Sequence, residues 1–174
     1  MKKVLLILPL FLLLTLSAYA QTSQKIGYVD SQVMLSTLPE AIKAQGELDK
    51  TAKSWYAYAD TLTAKLQTEY ADYQKNQSKL SPEKLKDAQQ SIVAKEQELN
   101  LYKQQKFGQN GELYKKQEEL FAPVKEKIMK GIQEVAKEEG MNFIFDKSGD
   151  VLLLYADSAF DITYKVLDRM KRGK

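Results

Sequence analysis

Histidine and cysteine are both absent from this 174-residue sequence. Their absence removes Ser-His-Asp and Cys-His nucleophilic arrangements together with the nitrogen and thiolate ligands of zinc sites. Carboxylates are plentiful, but Glu118-Glu119 and Glu138-Glu139 are sequence neighbours in helical patterns. Adjacent side chains on a helix diverge, and such pairs mark a solvated face. A paired-acid hydrolase stays open on those residues, although nothing in their spacing favours one. There is no phosphate-cradling loop either: Gly108 and Gly111 lie inside a helical pattern, and no lysine-serine pair follows them. We therefore expect no enzyme, no metal and no cofactor.

What remains is surface chemistry. Trp55, Tyr56, Tyr58, Tyr70, Tyr73, Tyr102, Phe107 and Tyr114 are strung along the central segment. Tyr56, Tyr58, Tyr70 and Phe107 fall off the apolar seam described below, so they are expected to line another face and to be partly exposed. Amphipathic rings can touch apolar segments while remaining compatible with water; the competing reading is that they fill a thin helical core. A second group, Lys75, Lys79, Lys84 and Lys86, is opposed only by Glu83. It is either a solvated turn or a contact for acidic headgroups or partners.

These residues need long helices to carry them. Pro39 fits the first turn of a helix, where its missing N–H is not needed. From there Leu48, Ala52, Trp55, Ala59, Leu62, Leu66, Glu69 and Tyr73 follow alternating steps of four and three, the spacing of a coiled-coil seam. Glu69 is the one polar intruder. Over about 40 residues such a helix reaches roughly 60 Å. Ser81-Pro82-Glu83 reads as N-cap, first helical residue and a dipole-compatible acid, so a second helix returns from there. Its seam runs through Leu85, Ala88, Ile92, Leu99 and Tyr102, degrades at Lys106 and Gln109, and resumes at Leu113, Leu120, Val124 and Ile128. Gly108 and Gly111 coincide with the gap, which is either a flexible or kinked point or a register adjustment between helices of unequal winding. Pro123 could bend the helix further on, and Gly140 stops it.

Short apolar runs flank this hairpin. Ile26, Tyr28 and Val29 read as a strand ending at Asp30, followed by a brief helix that Ser31 can cap. Phe143 to Phe145, a Gly-containing turn and Val151 to Tyr155 read as a β-hairpin. Both strands are nearly continuous apolar runs, which implies burial on both faces. Two strands cannot bury themselves, so other chains are expected to complete the sheet. Asp161 is placed to cap a last helix bearing Ile162, Val166, Leu167 and Met170.

Export is expected as well. Lys2 and Lys3, the apolar run Val4 to Leu16 and Ala18-Tyr19-Ala20 form a secretory signal cleaved after Ala20, and the apolar run is shorter than the roughly 20 residues of a membrane span. Removing it leaves 24 basic against 23 acidic residues. A nucleic-acid binder would be more lopsided. With no disulfides available, an exported chain with a thin core must gain stability from packing or assembly.

The strand ending in Val29-Asp30, the helical hairpin, Phe121-Ala122-Pro123-Val124 with Ile128 and Ile132, Val135-Ala136-Lys137-Glu138, Gly140, Phe143 to Asp146, Val151 to Tyr155, and Asp161-Ile162-Thr163 with Val166 together resemble the OmpH/Skp family of periplasmic chaperones. The resemblance implies an α+β fold in which a long antiparallel helical hairpin, a coiled-coil-like tentacle, is attached to a small β-rich trimerisation body. Residues 1–20 are then a signal peptide, 21–38 and 140–174 the body, and 39–139 the arm, with its tip near 80–82. It implies a homotrimer in the periplasm that holds unfolded outer-membrane β-barrel proteins between its arms without ATP. On this reading Tyr56, Tyr58, Tyr70 and Phe107 contact clients, and Ile26, Val29, Phe143, Ile144, Phe145 and Leu153 build the trimer interface. Family members are strongly basic and this chain is not, so anionic lipid or lipopolysaccharide contact is confined to Lys75, Lys79, Lys84 and Lys86. The alternative is a structural envelope protein whose coiled coil docks on one folded partner; a peripheral membrane binder using the basic tip and the tail from Arg169 is a third.

Overall fold

The computed structural model describes residues 24–173, so the expected export signal lies outside the described residues. In chain order the elements are β1 (Ile26–Val29), α1 (Ser31–Thr37), α2 (Pro39–Asn76), a 3-10 turn (Gln77–Lys79), α3 (Pro82–Phe107), α4 (Glu112–Glu138), β2 (Phe143–Asp146), a 3-10 turn (Ser158–Phe160) and α5 (Thr163–Arg172). They form two compact units, one made of Val33–Met129 and the other of the described residues up to Gln32 and from Lys130 on.

Within Val33–Met129, local chemistry sets the helix ends. Leu38 is extended at φ −75° and ψ 125°, as a residue before proline prefers, and Pro39 opens α2. With 38 residues, α2 is about 57 Å long at about 1.5 Å per residue. Ser81 is extended and its Oγ accepts the Lys84 N–H at 3.4 Å, with Pro82 and Glu83 in the first turn of α3. α3 then runs antiparallel to α2. Its cross-helix contacts step in opposite senses along the two chains, from Gln89 Nε2 donating to Tyr73 Oη at 2.7 Å to Tyr102 Oη donating to the Trp55 carbonyl at 3.3 Å.

The seam is buried at Leu48, Ala59 and Leu99 and half-buried at Leu62, Leu66, Leu85 and Ile92. Glu69, the polar intruder, is answered across the hairpin by Ser91 and Lys95, both of which donate to its carboxylate. A seam position facing a serine and a lysine therefore remains paired. Toward the start of α2 the core is Ala44, Leu48 and Phe121, with Leu35, Leu113 and Leu120 packed against it. Lys127 pairs with Glu40 there, and that hydrogen bond holds the Glu40 carboxyl below its ordinary range.

The return segment is two helices instead of one with a weak point. α3 ends at Gly108, whose N–H donates to the Gln104 carbonyl at 2.9 Å, and Gly111 donates to the Gly108 carbonyl at 2.8 Å before α4 begins. A Cβ on Gly108 would stand 2.4 Å from the Gln104 oxygen. The chain folds this tightly only because that position has no side chain. Pro123 lies inside α4.

In the other unit, Gly140 ends α4 with φ +64°, while its N–H and that of Met141 donate to Lys137 and Ala136 at 3.2 and 2.8 Å. That is the Schellman arrangement, in which a left-handed residue satisfies the last carbonyls. The sheet corrects one expectation. β2 pairs with β1, in parallel, in the register Ile26 with Phe143 through Val29 with Asp146. The strands are joined by the whole helical hairpin, and Val151 to Tyr155 forms no strand. After β2 the chain is led away from a hairpin turn: Lys147 N–H donates to Val29 O at 2.8 Å, and the Asp146 carboxylate accepts the Ser31 N–H and the Ser148 N–H at 3.1 Å each.

Asp146 and Ser148 thereby cap α1, a role expected of Ser31 itself. Gln32 N–H donates to Ser148 Oγ at 3.2 Å, and the Asp146 carboxylate satisfies the first orphan donor of the helix from 115 residues away. Partial burial pushes the Asp146 carboxyl up, but the Ser31 and Ser148 hydrogen bonds outweigh it and hold the group below its ordinary value. A one-residue bridge pairs Tyr28 with Asp161, giving β1 neighbours on two sides. Asp161 Oδ1 accepts the Thr163 N–H at 2.9 Å at the start of α5, and Thr163 Oγ1 accepts the Asp30 N–H at 2.9 Å. Val29, Val135, Ile162, Val166 and Leu167 are the buried apolar residues of this unit. The β content is thus two strands of four residues each, less than the β-rich body anticipated.

Candidate functional site

The antiparallel register brings residues from the middle of α2 opposite the last turns of α3. Tyr56 stacks on Phe107 with ring centroids 4.1 Å apart and planes 6° from parallel. Tyr58 meets Tyr102 at 4.9 Å with a 55° tilt, and Tyr102 meets Phe107 edge-on at 6.5 Å. Lys106 lies over Trp55, its Nζ 4.6 Å from the ring centroid, and 5.9 Å from that of Tyr102. A cation over an aromatic face is held by the ring quadrupole. The same ammonium pairs with Glu112, the first residue of α4, so the joint between α3 and α4 is clasped from both ends.

The result is a cluster of five rings and one cation beside the Gly108–Gly111 joint. Tyr56 and Tyr58 remain 52% and 48% exposed, while Trp55, Tyr102 and Phe107 are half-buried beneath them. Half-exposed tyrosines offer an apolar face and a hydroxyl in water, the combination suited to reversible contact with apolar chain.

Of the four aromatic residues singled out in the sequence, Tyr56, Tyr58 and Phe107 come together. Tyr70 is exposed farther along α2 and has no ring partner among the described residues. Trp55, Tyr102 and Lys106 complete the cluster, and sequence reasoning had left them in the seam. The signal was present, since Lys106 falls where the seam calls for an apolar residue and an aromatic ring opposite is one way to accept it.

The four lysines occupy the hairpin end. Lys75 is in the last turn of α2, Lys79 in the 3-10 turn, and Lys84 and Lys86 in the first turns of α3. All four are exposed, and among the described residues none forms a salt bridge.

The residues expected at an interface between chains divide. Val29 is 2% exposed and buried within its own chain, and Ile144 is half-buried. Ile26, Phe143, Phe145 and Leu153 are exposed. Beyond them Leu152, Leu154 and Tyr155 are 83%, 88% and 85% exposed, so the segment read as a strand presents bare aliphatic surface. Among the described residues no group of acidic side chains could hold a metal, and no helix is long and apolar enough to cross a membrane.

The family model described as outer membrane protein (OmpH-like) matches residues 25–170, nearly all of the described chain. The protein belongs to the OmpH-like family. Its fold is also that of a solved OmpH-like protein, described as an outer membrane chaperone, from Caulobacter crescentus: TM-score 0.68, 15% identity, covering 89% of this chain and 88% of that one. At that identity the likeness is one of fold. Among curated proteins none matches the sequence. The OmpH-like match spans both units, so the helical hairpin and the small parallel sheet are parts of one family architecture.

Proposed function

We propose that this OmpH-like protein is an ATP-independent periplasmic holdase that binds unfolded outer-membrane β-barrel proteins and keeps them from aggregating before insertion. The observation that carries the proposal is the cluster of half-exposed rings built across a long helical hairpin, in a chain of this family. Clients of this kind alternate apolar and polar residues and carry unpaired backbone until they insert. Surfaces that bind such chains weakly and at many points prevent aggregation, yet release the client when the bilayer offers a better fold.

The active form in this proposal is a homotrimer. The exposed aliphatic segment from Val151 to Tyr155 and the sheet edge bearing Phe143 and Phe145 support assembly, because contiguous bare apolar surface is seldom left to water. Three hairpins would then surround one client. The exposed tip lysines add a weak anionic contact that fades with salt.

Light scattering of a urea-unfolded outer-membrane barrel, diluted into buffer with increasing mature protein and no nucleotide, tests the proposal. Suppression saturating near three chains per client is expected. Undiminished aggregation at excess protein would instead favour docking on a single folded partner.

A further inference from the structure

The ring pairs have a spacing that fits one kind of guest. The Tyr56–Phe107 stack and the Tyr58–Tyr102 pair are linked through Tyr102 and Phe107, whose centroids are 6.5 Å apart. Along an extended chain, side chains on one face recur every second residue, at about 6.6–6.8 Å. A strand-like segment laid across the cluster therefore sets successive same-face side chains against successive ring pairs.

Charge narrows the guest further. Lys106, the cation of the cluster, is paired with Glu112 and lies over Trp55. A charged guest finds no unpaired partner in the cluster, whereas the lysines at the hairpin end have none of their own. The half-exposed Tyr56 and Tyr58 carry hydroxyls able to hydrogen-bond the N–H and C=O groups that an unpaired strand still presents.

We infer that the cluster is a subsite for an extended, uncharged chain segment with aromatic or large apolar residues at positions i and i+2, one seated on each ring pair. The inference rests on the holdase reading and names what that holdase recognises: strand alternation itself, independent of any particular client sequence.

Trp55 is the only tryptophan in the sequence and lies within the cluster, so its emission reports occupancy without a label. The mature full-length protein is titrated with two neutral, tryptophan-free peptides of identical composition. One carries phenylalanines at alternate positions among serines and threonines; the other carries them consecutively. The alternating peptide should shift Trp55 emission saturably and bind about fivefold more tightly than the permuted one. Tyr58→Ser and Phe107→Leu should each lower that preference.

Equal affinity for the two peptides, or no emission change with either up to about 1 mM, overturns the inference. The same protein assayed for aggregation suppression separates the two levels. Protection of an unfolded barrel without peptide discrimination removes the subsite and leaves the holdase; loss of protection removes the holdase, and this subsite's role with it.

Discussion

The two units of this protein expose apolar surface of different kinds. Val33–Met129 exposes rings that carry hydroxyls and sit beside a cation already paired, as at Tyr56, Tyr58 and Lys106. The unit containing the sheet exposes Leu152, Leu154, Phe143 and Phe145, which have no polar atom with which to meet water. The first kind tolerates solvent between encounters and suits transient contact. The second is costly when bare and suits permanent coverage by another copy of the chain. The contrast assigns recognition to one unit and assembly to the other.

The most disruptive way to test that division is to charge the aliphatic segment. Leu152→Asp with Leu154→Asp should reduce the sedimenting species from three chains to one, because each charge buried in an interface costs several kcal/mol. Both residues are nearly fully exposed in the single chain, so its far-UV circular dichroism should be unchanged. A variant that still sediments as a trimer would remove assembly from this segment.

Next in size is the core that supports the sheet. Ile162 is fully buried, and Ile162→Ala should lower stability by about 2–5 kcal/mol in urea unfolding. A loss under about 1 kcal/mol would mean that Ile162 contributes little packing.

Asp146→Asn should cost about 1 kcal/mol near neutral pH, since it weakens a charged cap on α1. The carboxyl is held below its ordinary value in the fold, so its contribution is fully present above the ordinary aspartate range and is lost as pH falls through the lowered value. The stability gap between wild type and Asp146→Asn should therefore shrink between about pH 7 and about pH 2. A gap independent of pH would show that the cap does not depend on charge.

The smallest effect is expected at the hairpin end. Lys79→Ser with Lys84→Ser should change stability by less than about 0.5 kcal/mol, as neither lysine has an ion partner. It should flatten the salt dependence of client binding; unaltered salt dependence would place the anionic contact elsewhere.

How much of this was legible in the sequence follows from how local each feature is. Pro39, Ser81-Pro82 and Gly140 mark helix ends through their own backbone chemistry, and each does so in the structure. Gly108 and Gly111 located the interruption, but its form, two helices joined by a tight turn and clasped by Lys106 and Glu112, depends on contacts across the hairpin. The pairing of β1 with β2 was not legible, because the strands lie more than a hundred residues apart and each run had an apparent partner nearer in sequence. Val151 to Tyr155 has strand composition and no strand neighbour within its own chain, so composition alone misplaced it. The capping of α1 by Asp146 is likewise non-local. Off-seam position was enough to find Tyr56, Tyr58 and Phe107; Trp55 and Tyr102, being on the seam, join the site only once the register across the hairpin is known.

The central claim is that the exposed rings of the hairpin bind unfolded client while assembly resides in the other unit. The most direct measurement is the protein concentration that half-suppresses aggregation of a unfolded barrel, compared between wild type and Tyr56→Ser with Tyr58→Ser at matched sedimentation. The account predicts a midpoint raised about fivefold to tenfold with the trimer intact. An unchanged midpoint at unchanged assembly would contradict it.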